Sequence, residues 1–283
     1  MNTFRIGIPS KGRLADAACS LLNEAGLSFR RQDRSLFARC RDTNVEITFL
    51  RTDDIPVLCA EGAIDLGITG SDLVAEATVE VKTRLPLGIG KCRLAICVPE
   101  DSPEGGVGQL GGKRVATSFP RVTEKFLRDN GVEAHLVPLS GSVEVMISLG
   151  VADAIVDLVE TGSTLAANRL RILQDVGKYE TVLIQNNRRR EPELADKIVR
   201  RVEGVVIARS YSLLEYNVPR AKLAEAEEIT PGFNSPTVSS LEDSDWCAVR
   251  AMVKRGDVIE IMEKLEQLGA SAILETQIRN CRL

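Results

Sequence analysis

Phe4-Arg-Ile-Gly-Ile8 sets apolar residues on alternate positions and reads as a β-strand. A polar turn, Ser10-Lys-Gly-Arg13, follows. Leu14, Ala17, Ala18, Leu21, Leu22 and Ala25 then fall at helical spacing, and Gly26 supplies a stop. Strand, turn and helix in this order open an α/β fold. Val45–Leu50 repeats the strand, Ile55–Gly62 reads as a short helix ending in glycine, and Ile64–Thr69 reads as the next strand. Gly70-Ser-Asp72 leads into a further helix. Strands alternating with helices imply mainly parallel sheets joined by crossover helices.

A second α/β region starts near Cys92. Its expected strands are Arg93–Val98, Arg114–Thr117, His135–Pro138 and Ala154–Asp157. Its expected helices are Val122–Asn130, Ser142–Leu149 and Ser163–Arg169. The glycine-rich Pro103–Gly108 is expected to be a mobile loop, because glycine loses much freedom on ordering. Thr181–Gln185 reads as a strand, and the basic Asn186–Glu191, with Arg188, Arg189 and Arg190, as a loop. A helix is expected from Pro192 to Arg209. The rest gives a strand at Tyr211–Val218, a helix at Pro219–Glu227 and strands at Thr237–Leu241 and Ala248–Val253. A helix at Asp257–Leu268 and a strand at Ser271–Thr276 close a βαββαβ, ferredoxin-like order.

Composition narrows the function classes. The 283 residues are 44% hydrophobic and 27% charged, ordinary for a globular enzyme of two or three domains. A net charge of −4 argues against a broad nucleic-acid surface. Seven cysteines with no C-x-x-C pair suit free thiols in a reducing compartment. The single histidine, His135, sits in a short apolar run and disfavours most zinc schemes. The opening residues lack an apolar signal region, and no stretch approaches the roughly 18 apolar residues of a membrane span, so a cytoplasmic location without membrane partners is expected.

The chemistry concentrates in Ala154-Ile-Val-Asp-Leu-Val-Glu-Thr-Gly-Ser-Thr-Leu165. An apolar strand ends in Asp157, Glu160 follows, and Thr161, Gly162, Ser163 and Thr164 open a helix. Free N–H groups and hydroxyls at such a start attract a phosphate, and a carboxylate one turn earlier can accept from vicinal sugar hydroxyls. A plain capped helix fits the same residues. Lys11 and Arg13 in the first turn could neutralise a polyphosphate or simply keep the surface soluble. Arg51, Asp53, Asp54 and Asp72 follow strands, where α/β clefts open, though any of them could cap a helix. Gly105-Gly-Val-Gly108 lacks the leading strand of a dinucleotide loop, and no G-x-x-x-x-G-K-[ST] occurs.

Glu144-x5-Gly150-Val-Ala-Asp-Ala-Ile-Val-Asp157-Leu-Val-Glu-Thr-Gly162-Ser-Thr-Leu165 resembles the diagnostic motif of ATP phosphoribosyltransferases, without departure. Pro9–Leu14, Leu50–Pro56 and Asp65–Gly70 resemble that family's opening turns. Thr230–Thr237 and Leu268–Leu274 resemble the C-terminal domain of its long form, so the likeness spans the chain. It implies a two-lobed, periplasmic-binding-protein-like catalytic core plus a C-terminal ferredoxin-like regulatory domain. The expected lobes are residues 1–90 with 182–208 and residues 91–181, with residues 209–283 regulatory. It implies transfer of the phosphoribosyl group of phosphoribosyl pyrophosphate (PRPP) to ATP, with Mg²⁺ held mainly by substrate phosphates. Asp157, Glu160, Thr161, Gly162, Ser163, Thr164 and Leu165 would hold PRPP, with Asp157 and Glu160 catalytic. Lys11, Arg13, Arg51 and Asp72 would meet ATP. Histidine would inhibit by binding at Asn217, Ser235, Thr237 and Ala272, and Asn217 departs from an acidic residue in some members. A homo-oligomer, dimer or hexamer, is also implied. The competing class is a non-catalytic solute-binding protein of the same two-lobed architecture; a third is the ligand-sensing domain of a transcription regulator, for which no helix-turn-helix segment is visible.

Overall fold

The computed structural model describes residues 3–32, 35–160, 162–188 and 191–282. They divide into two compact units: Met1–Cys19 with Phe29–Ala195, and Ser20–Ser28 with Asp196–Leu283.

The first unit holds two sheets. One is built from β1 (Phe4–Pro9), β2 (Phe37–Arg39), β3 (Val45–Leu50), β4 (Leu66–Gly70) and β5 (Lys82–Pro86). The other is built from β6 (Cys92–Pro99), β7 (Arg114–Thr117), β8 (His135–Pro138), β9 (Ala154–Val159) and β10 (Leu170–Tyr179). β11 (Thr181–Gln185) returns the chain to the first sheet. The orders are β2-β3-β1-β4-β11-β5 and β10-β6-β9-β7-β8, so the chain crosses twice, at 86–92 and at 179–181. This is the expected α/β core of two sheets joined by two crossings.

The sheets are mixed rather than mainly parallel. β1 runs parallel to β3 and β4, and β7 to β8 and β9. β2, β5, β6, β10 and β11 pair antiparallel. Strands next to the two crossings must run against their neighbours, because the chain leaves one sheet and comes back. The parallel trios decide where a site can form: their carboxyl ends share one edge, and the loops leaving that edge meet there. Apolar faces close the cores around Ile55, Ile64 and Ile184 in the first sheet and around Leu94, Ile96 and Val156 in the second. Helices α1 (Arg13–Glu24), α2 (Ile55–Ala60), α3 (Ser71–Ala77), α4 (Pro120–Asp129) and α5 (Ser163–Ala167) connect the strands.

Two expectations need correction, and one strand, β10, was not foreseen. The helix read at 142–149 is one 3₁₀ turn, Val143–Val145, with turns after it. Ser142 and Gly150 both have positive φ, at 52° and 70°, and Val143, Val145 and Ile147 resist helix, so the stretch folds between two reversals. β10 was not legible because register shifts at Ile172/Gln174 and Asp175/Gly177 break its alternation. The glycine loop 103–108 is anchored rather than loose. Lys113 donates to Glu104 at 2.5 Å, Arg171 donates to the carbonyls of Ser102 and Glu104, and Val107 is buried.

The second unit carries a four-stranded antiparallel sheet. Here α6 (Pro192–Ser210) leads into β12 (Tyr211–Pro219), then α7 (Leu223–Ile229), β13 (Thr237–Ser240), β14 (Trp246–Lys254), α8 (Val258–Leu268) and β15 (Ser271–Gln277). Its order, β13-β14-β12-β15, is ferredoxin-like. Leu214, Tyr216 and Val218 alternate inward toward Leu265 and Ala226, and the other face holds Glu215 and Asn217. Among the described residues no helix is long and apolar enough to cross a membrane.

Candidate active site

Parallel β1, β3 and β4 deliver the turns after Pro9, Leu50 and Gly70 to one edge. The first turn needs a positive φ at Gly12, 82°, which glycine adopts without strain. Arg31 fastens it: its guanidinium donates to the Ser10 carbonyl at 2.7 Å and lies 4.1 Å over the Phe49 ring. Sequence reading missed Arg31, since nothing in its neighbourhood marks a residue that acts through another loop.

A cavity of about 610 Å³ opens there, lined by Lys11, Arg13, Asp72, Lys91, Cys92 and Glu160 among others. Asp72 is buried in the first turn of α3, and burial pushes its carboxyl pKa up. N–H groups of Leu73 and of Asp72 itself oppose that shift, and the charge of Asp53 adds to it. Asp72 folds back over Gly70, so a Cβ there would push its carboxylate aside. Arg51 lines neither this cavity nor the next; it is exposed and stands 3.9 Å from Asp53. The Cys92 thiol is pushed up to about 11, chiefly by burial, with Asp72 and Glu160 adding to it. It stays a thiol at neutral pH and is no nucleophile.

β9 carries Asp157 to the edge of the second sheet. A second cavity, about 560 Å³, is lined by Glu144, Asp157, Glu160, Gly162, Ser163 and Thr164. Gly162 reverses the chain with φ 81°, and α5 behind it has five residues, so its dipole is short and the donors themselves must meet any anion. Burial raises the Asp157 pKa; the Leu158 N–H, donating at 2.8 Å, lowers it, and Glu144 raises it again. Leu165 is core, 7% exposed, so only its main chain can face a ligand. Thr161, Arg189 and Arg190 lie outside the described residues. Arg188 rests against Gly62, in the space a Cβ would take.

The two cavities share Arg13, Leu158 and Glu160. The Arg13 guanidinium donates to Glu160 at 3.2 Å, so a residue of the first turn and one of the 160–165 loop meet at the boundary. Leu158 was not foreseen; it is 37% exposed because its strand position faces the opening instead of the core.

In the second unit, Asn217 pairs with Ser271, and the register shift opposite Tyr216 makes a bulge. Ala272 sits in it with φ 50°, a left-handed conformation that is strained for alanine. Thr237 pairs with Arg250 at the far edge of the same sheet, and Ser235 precedes it. Gly232 (φ 70°) holds that turn so tightly that a Cβ would come within 2.9 Å of the Ser235 carbonyl. One chain thus places Asn217 beside Ala272, and Thr237 two strand spacings from Asn217 and three from Ala272, about 10 and about 14 Å at the usual spacing.

Residues 51–204 match the family described as ATP phosphoribosyltransferase, and residues 208–280 match its C-terminal domain family. An ATP phosphoribosyltransferase of Rhodopirellula baltica is 66% identical over 280 residues, 99% of this chain and 94% of that protein. One of Saccharopolyspora erythraea is 42% identical, covering 99% of this chain and all of that protein. Among solved structures, the ATP phosphoribosyl transferase (HisG:HisZ) complex from Thermotoga maritima has a chain that is 28% identical with a TM-score of 0.63, covering 72% of this chain and 97% of its own.

Proposed function

Because the chain belongs to the ATP phosphoribosyltransferase family, we propose that it joins ATP to PRPP, yielding N1-(5-phosphoribosyl)-ATP and pyrophosphate at the entry to histidine biosynthesis. The observation that carries this reading is the shared wall of the two cavities. One is lined by cations, the other by hydroxyls and carboxylates, and they meet at Arg13 and Glu160. Two large anions seated there would face each other.

In the proposed step the adenine N1 lone pair bonds to C1 of the ribose, and the C1–O bond breaks with its electron pair leaving on pyrophosphate. No protein nucleophile is required. Asp157 and Glu160 orient the ribose through its hydroxyls and can offset positive charge developing on the ring. Thr164, Ser163 and the main chain of Gly162–Leu165 hold the 5-phosphate, together with Thr161. Lys11 and Arg13 neutralise ATP. Their main contribution is orientation of two reactants, which can account for several kcal/mol of the barrier.

Among the described residues no group of three His, Cys, Asp or Glu side chains is placed to hold a metal ion. Mg²⁺ would be held mainly by substrate phosphate oxygens, with the Asp157 and Glu160 carboxylates that line the second cavity as the protein oxygens available to it. When bound, it neutralises the departing pyrophosphate.

Regulation belongs to the second unit in this reading. Histidine binds at Asn217, Ser235, Thr237 and Ala272 and acts by coupling between states, because its site lies on other elements than the two cavities. The separation of these residues across the sheet supports a ligand shared by two copies, and hence a homo-oligomer, dimer or hexamer. Residues 1–90 with 182–208 and 91–181 serve as the catalytic lobes and 209–283 as the regulatory domain.

Incubation with ATP, PRPP and Mg²⁺ tests the reaction. Pyrophosphate release and new absorbance beside the adenine band are expected, and a solute-binding or ligand-sensing protein gives neither. Ser235→Trp, which fills the inhibitor site, should leave an active enzyme insensitive to histidine; unchanged inhibition sinks the regulatory assignment.

A further inference from the structure

A third cavity, about 470 Å³, adjoins the other two. Its cations are Lys91, Arg93 and Lys178, and its carboxylates are Glu160 and Glu180. It shares Lys91, Cys92 and Glu160 with the first cavity, so the two run together. The second cavity touches it at Val159 and Glu160 alone.

The cations sit where the chain crosses between sheets. Arg93 and Lys178 are direct cross-strand partners on β6 and β10. Like charges directly opposite each other destabilise a sheet. Arg93 is partly balanced by Asp175 at 3.4 Å. Among the described residues, neither Lys91 nor Lys178 has an ion-pair partner. Glu180 is turned toward the main chain, where its carboxylate accepts from the Gly88 N–H at 3.1 Å. Lys91, Arg93 and Lys178 thus stand together beside Glu160 and Glu180, with Lys91 and Lys178 free of ion pairs among the described residues, in a cavity continuous with the one that holds Lys11 and Arg13.

We propose that this third cavity is a subsite for the outer phosphates of the nucleotide triphosphate, with Lys91 and Lys178 as its principal contacts and Arg93 behind them. This rests on the reading of the first cavity as the nucleotide site. The triphosphate runs from Lys11 and Arg13 past Lys91 to Lys178. The subsite makes the protein select a nucleoside triphosphate over a monophosphate, whose single phosphate ends before Lys178. Because its residues lie on both crossing segments, the nucleotide also bridges the two sheets at their junction.

The test titrates ATP, AMP and PRPP by calorimetry into the wild-type protein and into Lys91→Gln/Lys178→Gln. Two charge-assisted contacts at a partly exposed site correspond to a loss of about tenfold or more. ATP affinity should fall by that factor, with AMP and PRPP affinities unchanged, and Lys91→Arg/Lys178→Arg should restore most of the loss. Equal weakening of ATP and AMP, no weakening of ATP, or weakening of PRPP instead overturns the subsite. Inorganic tripolyphosphate should compete with ATP for the wild-type protein, and failure to compete overturns the proposal without any variant. A wild-type protein that binds ATP over AMP but releases no pyrophosphate with PRPP counts against the reaction and leaves the subsite standing.

Discussion

The loops 103–108 and 160–165 belong to the same compact unit, and both are built from glycine and small or polar residues. Their polar groups are used in opposite ways. In the first, Glu104 accepts from Lys113, Gly105 donates to Gln109, and Arg171 takes two carbonyls, so the loop satisfies itself. In the second, among the described residues, Glu160 pairs with the exposed Arg13 and nothing pairs with the Thr164 hydroxyl, although Ser163 is engaged. Glycine content does not separate an anchored loop from a binding loop. What separates them is whether the donors and acceptors already have partners inside the protein.

That contrast can be broken or sharpened by substitution. The largest effect should come from Asp157→Asn, which loses a charge-assisted contact worth about 3 kcal/mol and raises the KM for PRPP roughly a hundredfold. The pH profile should agree. Burial raises the Asp157 pKa, so the charged acceptor is lost, as pH falls, sooner than for an exposed aspartate near about 3.9. PRPP binding by the wild type should weaken on acidification in that higher window, and the Asn variant should lack that limb. The stability term has the opposite sign: the folded state holds this proton more tightly, so the contribution of Asp157 declines as pH rises through its raised pKa.

Next in size, Lys11→Ala or Arg13→Ala should raise the KM for ATP about tenfold with little change in PRPP affinity. Unchanged ATP kinetics in both would return them to a purely solubilising role. Thr164→Ala should cost about 1–2 kcal/mol, read as a several-fold rise in the KM for PRPP with kcat and melting temperature held. Glu104→Gln should do the reverse, lowering Tm while both KM values stay put. If Glu104→Gln alters PRPP affinity, or Thr164→Ala lowers Tm, the division between the two loops fails.

Much of this was legible in the sequence, for physical reasons. Buried strands such as β1 and β9 show an apolar period, and the βαββαβ order of the second unit follows from its turn residues. That Asp157 and Glu160 would stand together at a cavity was legible because carboxylates at the end of an apolar strand are conspicuous. β2 and β5 were not: β2 is three residues long with only Ala38 turned inward, and the edge strand β5 buries no residue. The third cavity was invisible too: Lys91 and Lys178 are 87 positions apart and become neighbours only through the pairing of β6 with β10. Arg51 stands at a strand end as expected, yet lines neither cavity.

The contact between Arg13 and Glu160 bears on the order in which substrates arrive. Both residues line both cavities, and in the proposed reading Arg13 serves ATP and Glu160 serves PRPP, so either substrate would have to separate them to claim its own residue. The first to bind meets that cost and the second finds its partner already released. Each should therefore tighten the other's binding by the same factor. With Arg13 90% and Glu160 51% exposed, the pair is worth under about 1 kcal/mol, so the mutual preference is a few-fold at most. An enzyme built this way holds a half-filled cleft only slightly less willingly than a full one, and its addition sequence should blur rather than be strictly fixed.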